Sequence, residues 1–342
     1  MKLAIISDCH IGKRQYRTDE NNYNRFEWLG YQALNENVDI ILKEKPDLLI
    51  NAGDSFETPN PSVLAITNYS NAMNKLRDIP TMTILGNHDF SFANMNNKCS
   101  AVSITDHTYF ADYKIKTVEL EGILFVMMPY IYGKSEVIKD YLEECEQIAS
   151  QSTCNKKILV THGVTEKYYK DSFISDPIML SDKLIEKFSL VIIGHIHTPF
   201  DYYQGKTLVI SPGAMIDYQA HEDHTGPIFL DTDTMKFKKV KIKTPHIIKL
   251  NCNAENINEC LSKVTEDIYK ITYDGDLKAI NDDLFITAKN MAVNLIIDIV
   301  LHESEIDAST SSIALNVYDW VTENHSEYKN IFINAKEVIE HK

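Results

Sequence analysis

The sequence predicts an α/β fold in which one or more central sheets are flanked by helices. Short apolar, strand-like runs recur along the 342-residue chain, helical patterns separate the early ones, and nearly every run ends in a polar cluster. Alternating elements of this kind bury their apolar faces by stacking in layers.

The elements follow in order. "LAIIS" (3–7) reads as the first strand, followed by a polar loop. A helix is predicted over about 24–44, with Phe26, Leu29, Ala33 and Ile41 on one face and Pro46 stopping it. "DLLINAGD" (47–54) is the second strand. Pro61 opens the next helix, with Val63, Ile66 and Met73 inside, and "TMTILGNHD" gives the third strand. Further strands are expected at 123–128, 157–161, 190–193, 207–210, 228–231 and 236–243. The last of these, "KFKKVKIK", reads as a solvated edge strand guarded by Lys rather than as a DNA contact. A boundary is expected at Pro245, so that one domain covers 1–245. Beyond it the composition turns acidic: residues 246–342 hold 8 Lys and 17 Asp/Glu with no Arg. A helix over 255–269 and a strand over 293–301 make residues 246–310 a small α+β module. Residues 311–342 form a helical tail with two apolar stripes, Ile313, Val317, Trp320 and Val321, then Ile331, Ala335, Val338 and Ile339.

Composition bounds the function. With 44% apolar and 24% charged residues the chain is an ordinary globular sequence. No apolar run reaches the roughly 18 residues of a membrane span, and Asp8 interrupts the N-terminal run too early for a signal peptide. Six cysteines without a C-x-x-C pair read as reduced thiols, which places the protein in the cytoplasm. A net charge of −15 argues against a protein that coats nucleic acid. It does not exclude a nuclease, because bound cations reverse the local field where a phosphate sits.

The polar clusters carry the chemistry. "IISDCHIG" supplies Asp8 and His10, which share a face in extended conformation while Cys9 points away. "LINAGDSF" supplies Asp54, "TILGNHD" Asn87 and His88, "LVTHG" His162, and "VIIGHIH" His195 and His197. Ligands of open α/β sheets bind at the carboxyl ends of strands, so five strands deliver these groups to one place. Two Asp, one Asn and four His without Cys suit borderline-to-hard divalent ions. The set is too large for one ion and matches two that share a carboxylate. Two metals roughly 3.5–4 Å apart can clamp a phosphodiester. His88, next to a ligand, is left as a proton donor or phosphate contact. The loop "GKRQYR", with Lys13, Arg14 and Arg17, and the Lys pair 167 and 170 are candidate contacts for a nucleic-acid substrate.

The order D-x-H, G-D, G-N-H-D, H-G and G-H-x-H over residues 5–198 resembles the calcineurin-like metallophosphoesterase superfamily. Within it, "DCHIG", "GDSFETPNPS" and the C-terminal extension resemble the SbcD/Mre-eleven nuclease subunits, including shorter phage versions. The resemblance implies a four-layer αββα sandwich with a small C-terminal capping module and a helical tail. It implies that Asp8, His10 and His197 hold one metal, that Asn87, His162 and His195 hold the other, that Asp54 bridges them, and that His88 is the catalytic histidine. It also implies two Mn²⁺ ions, a DNA substrate met in recombination, repair or replication, and exonuclease or endonuclease activity. The partner it implies is an SbcC-like SMC-type ATPase docked on 311–342, in a heterotetramer containing a homodimer of this chain. One departure is Glu57, where relatives often carry a His three residues after the bridging Asp. A second helper histidine therefore does not carry over.

Two other readings compete, a stand-alone phosphodiesterase or phosphatase and a non-catalytic scaffold. A stand-alone cyclic-nucleotide phosphodiesterase shares G-N-H-D, but has little use for about a hundred further residues. Phosphoprotein phosphatases differ at "GDSFETP" and "GNHD". A non-catalytic scaffold would not keep every ligand.

Overall fold

The computed structural model describes residues 1–15, 24–90, 100–104, 107–133, 135–168, 178–218, 226–292 and 294–299. The tail expected over 311–342 lies outside them, as do Arg17 and Lys170. Two compact units divide the chain, the first running to Thr244 and the second starting at Pro245.

The first unit contains two six-stranded sheets. In one, β1 (Lys2–Ile6), β2 (Leu48–Asn51), β3 (Thr81–Ile84) and β4 (Tyr109–Ala111) run parallel. Antiparallel β13 (Ile228–Asp231) and β14 (Phe237–Lys239) complete it beyond β1. The other has the order β11-β12-β10-β7-β6-β5, where β5 is Lys116–Leu120, β6 Ile123–Met128, β7 Lys156–His162, β10 Leu190–Gly194, β11 Phe200–Gln204 and β12 Thr207–Ser211. Short strands β8 (Val164–Thr165) and β9 (Met179–Leu180) pair separately.

The sheets face each other. Alternate residues of the first sheet (Leu3, Ile5, Leu48, Ile50, Met82, Ile84) share one buried cluster with Phe125, Met127, Ile158, Val160, Ile192 and Ile210 of the second. The intervening residues of β6, β7 and β10, among them Val126, Leu159 and Val191, pack on the outer side against Cys145 and Ala149 of helix Ser135–Gln151. Strands buried on both faces read as unbroken apolar runs, as "ILFVMM" does. Helices Arg25–Glu44 and Val63–Asn74 are the crossovers between β1, β2 and β3, and right-handed crossovers put both on the same face of their sheet. Tyr69 of the second crossover helix reaches Asn51 of β2, with its hydroxyl 3.2 Å from Asn51 Nδ2. The result is four layers, helix, sheet, sheet and helix.

Local chemistry sets the helix ends. Asn24 caps the first, its side-chain oxygen accepting from Glu27 N at 3.0 Å, and Lys45 ends it in the left-handed region at φ 49°. Ser62, not Pro61, caps the second by accepting from Ala65 N at 3.1 Å. Its buried side is Ala65, Tyr69, Ala72 and Met73, whereas Val63, expected inside, is exposed. The edge position of β14 agrees with its reading as a guarded edge: Lys238 pairs with Glu44 and Lys239 with Asp201. It is shorter than expected, three residues instead of eight.

The second unit corrects the sequence reading. The helix expected over 255–269 stops at Ser262, and Ile268–Asp274 is strand β16 between parallel β15 (Ile247–Asn253) and β17 (Asn294–Ile299). "IYKITYD" alternates buried and exposed positions from Tyr269 to Asp274, which is the period of a strand. Helix Asp282–Met291, also unforeseen, starts at an Asn281 cap and buries Phe285 and Ala288. Among the described residues no helix is long and apolar enough to cross a membrane.

Candidate metal centre

Strand register brings the polar clusters together. Ile6 of β1 pairs with Asn51 of β2, and Asn51 with Thr83 of β3, so the three strands finish abreast. In the second sheet Gly194 pairs with His162, which sets His195 beside it. Backbone bonds then lace the first two loops together: Asp8 N donates to Gly53 O, His10 N to Asp54 O and Ile11 N to Ser55 O, each at 3.0 Å.

Asp8 and His10 are not extended, contrary to the sequence reading. They have φ of 50° and 43°, and Asp54 (53°) and His195 (95°) also lie at positive φ. Side-chain-bearing residues there cost of order 1–3 kcal/mol each and persist when their surroundings over-determine them. The lacing bonds do so here. Both Asp8 carboxylate oxygens also accept from His195 N, at 3.0 and 3.1 Å, and the Ser7 hydroxyl donates to the same carboxylate.

Two sets of donors hold the predicted ligands, and His10, Glu57 and His88 make a third group at the rim. Asp8, His10 and His197 offer one ligand atom each within 4.8 Å of one another, and Asp54, His162 and His195 do the same. Asn87 joins the second set, its side-chain oxygen 3.0 Å from His162 Nε2 and 2.9 Å from His195 Nδ1. Asp54 reaches both: Oδ2 lies 3.2 Å from His162 Nε2 and 3.6 Å from His10 Nε2. All seven predicted ligands are therefore gathered. The donor chemistry fits cations: His10 Nε2 and His197 Nε2, both able to ligate, converge to 3.1 Å. Buried His195 Nε2 has no hydrogen-bond partner among the described residues.

The charges respond to this crowding. Burial opposes ionisation of Asp54, but His162, then His10 and His88, hold its carboxyl well below the usual range. Burial also opposes a charged His162, yet Asp54 raises it to about 9. Burial and the neighbouring His162 push His195 down to about 4. Asp54 thus favours positive charge on the His162 ring, in the place a cation would take.

Close packing needs glycine at two points. A Cβ on Gly86 would collide with the Asp54 carboxylate, and one on Gly53 (φ 99°) would lie 2.6 Å from His162 Nδ1. Asp89, the last letter of G-N-H-D, lies in none of the donor groups. Its carboxylate accepts from Ser55 N (3.1 Å), Phe56 N (3.0 Å) and Gly86 N (3.1 Å), clamping the Asp54 loop to the Asn87 loop. Burial and the charge of Asp54 raise it to about 7, against those backbone bonds.

His88 sits at the rim. Its backbone N donates to Asp54 Oδ1 at 2.8 Å, and its ring meets that of His10 at 4.6 Å between centroids. Its Nδ1 lies 2.8 Å from Glu57 O. A carbonyl only accepts, so Nδ1 carries the hydrogen and Nε2 is the nitrogen left for a substrate. Sequence reasoning missed Tyr218, whose ring packs on His10 (4.9 Å) and His197 (5.1 Å) while its hydroxyl donates to Cys9 O at 2.8 Å. No motif marks it. Of the predicted substrate contacts, Lys13 pairs with Glu57 at 2.8 Å and lies 5.0 Å over the Tyr218 ring. Arg14 turns away to Glu27 at 3.3 Å, and Lys167 lies 4.1 Å over the Tyr202 ring.

Two facing mixed sheets with carboxylate, amide and imidazole donors at their strand ends define a metal-dependent phosphoesterase scaffold. Residues 1–199 match the Calcineurin-like phosphoesterase family, and the chain belongs to it. It is similar to the DNA double-strand break repair protein Mre11 of Methanococcus maripaludis, 26% identical over 283 residues, 78% of this chain and 73% of that protein. The Mre11 of Thermoplasma acidophilum is 26% identical over 280 residues, 76% of this chain and 71% of that one. A subunit of the nuclease SbcCD of Staphylococcus epidermidis is 25% identical over 250 residues, 65% of this chain and 63% of that protein.

Proposed function

We propose that this chain is the DNA-cleaving, SbcD-like subunit of an ATP-dependent nuclease, hydrolysing phosphodiester bonds at a two-cation centre. The observation that carries the chemistry is Asp54, a single buried carboxylate within reach of both donor sets. In this reading Asp8, His10 and His197 hold one ion, Asn87, His162 and His195 the other, and Asp54 bridges. Two divalent ions there, Mn²⁺ by preference, would supply charge neutralisation for the phosphate and acidity for the attacking water. His88 presents Nε2 at the rim; as an imidazolium, with hydrogens on both nitrogens, it would hold the scissile phosphate or give the Nε2 proton to the leaving oxygen. Asp54 fixes the backbone of His88 and so couples its position to the ion site.

The DNA substrate is supported by the relatives, which are named for double-strand break repair and for the SbcCD nuclease. The name of the second, a subunit of SbcCD, supports a partner subunit; in this reading that partner is an SMC-type ATPase docked on residues 311–342, with this chain paired with itself in the assembly. Glu57 and Glu27 engage Lys13 and Arg14, and the net charge is −15, so the isolated chain holds DNA weakly and binding falls steeply with salt. The test is hydrolysis of DNA oligomers against cyclic nucleotides by the purified chain in Mn²⁺. Cleavage of oligomers is expected. Turnover of a cyclic nucleotide with none of DNA under any metal would replace this reading by the small-molecule one.

A further inference from the structure

Glu57 is where the chain departs from the pattern it otherwise follows, and it lies at the junction of three groups. Its Oε2 is 2.8 Å from His10 Nδ1, and its Oε1 is 2.8 Å from Lys13 Nζ. Its own carbonyl accepts from His88 Nδ1 at 2.8 Å. The backbone is fixed as well, with Glu57 N donating to Ile11 O at 3.2 Å beside an Ile11–Phe56 bridge.

A carboxylate only accepts, so the neutral His10 ring carries its hydrogen on Nδ1 and its lone pair on Nε2. Nε2 is the atom that faces His197 Nε2 and Asp54. The second donor set is oriented differently: His162 Nδ1 donates to the uncharged carbonyl of Ala52 at 2.9 Å. A carboxylate behind an imidazole makes it a stronger metal donor than a carbonyl does, and such outer partners are worth about 10–100-fold in metal affinity. Lys13 balances the other carboxylate oxygen, so the strengthening comes without a stray charge at the rim.

We propose that the Glu57 side chain is a positioning residue of the metal centre, fixing the tautomer and plane of His10 and strengthening the Asp8–His10–His197 cation site alone. The proposal rests on the two-cation reading above. It assigns to a carboxylate, in this chain, the place beside the bridging Asp where a helper histidine was not found.

Titration of the metal-free full-length chain with Mn²⁺, following free ion by its electron paramagnetic resonance, tests it. Wild type is expected to bind two equivalents. In Glu57→Gln, which keeps size and hydrogen-bonding reach but removes charge, one equivalent should weaken about 10–100-fold and the other stay unchanged. Lys13→Met, which leaves the carboxylate on His10, should retain both. Three results would overturn the inference: unchanged affinities in Glu57→Gln and Glu57→Ala, equal weakening of both equivalents, or loss of the same equivalent in Lys13→Met. The last would assign the effect to the salt link. No Mn²⁺ uptake by wild type would overturn the two-cation reading and this inference with it.

Discussion

Asp54→Ala should lose bound metal and at least about 10³-fold in hydrolysis of any phosphodiester, since a site that neutralises transition-state charge supplies several kcal/mol. Asp54 lies 3.2 Å from His162 Nε2 and 3.6 Å from His10 Nε2, one imidazole of each set. Its second oxygen receives His88 N, so truncation also frees the catalytic loop. Metal content by elemental analysis and rate in Mn²⁺ are the readouts. Wild-type values in both would remove Asp54 from the centre. A pH signature accompanies the loss. In chelator, the Asp54–His162 pair of wild type contributes stability that is complete below the ordinary His pKa of about 6.5. That contribution fades as pH rises through about 9, the value to which Asp54 lifts His162. Thermal melts of the variant should lack this decline.

His88→Ala separates catalysis from assembly. The side chain is 36% exposed beside His10 and is not among the seven proposed ligands, although it groups with His10 and Glu57 at the rim. Its tie to Asp54 runs through the backbone N, which Ala retains. Both Mn²⁺ equivalents and the melting temperature should therefore stay as in wild type, while turnover drops about 10²–10⁴-fold, the usual worth of a proton donor or phosphate contact. Loss of an Mn²⁺ equivalent in His88→Ala would make His88 a ligand and redraw the site.

The convergence of the candidate ligands was legible because each ends an apolar run, and a polar side chain after a buried strand has nowhere to go but the sheet's edge. The buried strands β1, β2, β3, β6, β7, β10, β12 and β13 were legible for the same reason, whereas β4, β5 and β11, at or near sheet edges with partly exposed residues, were not read. The conformation of Asp8–His10 was not: alternation holds only while the backbone is extended, and β1 ends at Ile6. Asp89 was indistinguishable from a ligand in the string G-N-H-D. Its role depends on three N–H groups, two of them on residues more than thirty positions away. Glu57 was visible only as a departure; that it faces both His10 and Lys13 is a tertiary fact. In the second unit the helical pattern of "ENINECLSKV" was extended too far, into the start of β16, and the short strand β15, with polar residues on alternate positions, went unread.

The central claim is that two cations, held by Asp8, His10, Asp54, Asn87, His162, His195 and His197, make this chain a phosphodiesterase. Parallel titration of the metal-free protein with Mn²⁺, following bound ion and hydrolysis of a DNA oligomer in the same samples, tests it most directly. Two equivalents should bind, and cleavage should rise with the second and vanish in chelator. Cleavage that persists undiminished in chelator, or a protein that binds no Mn²⁺ at all, would contradict it.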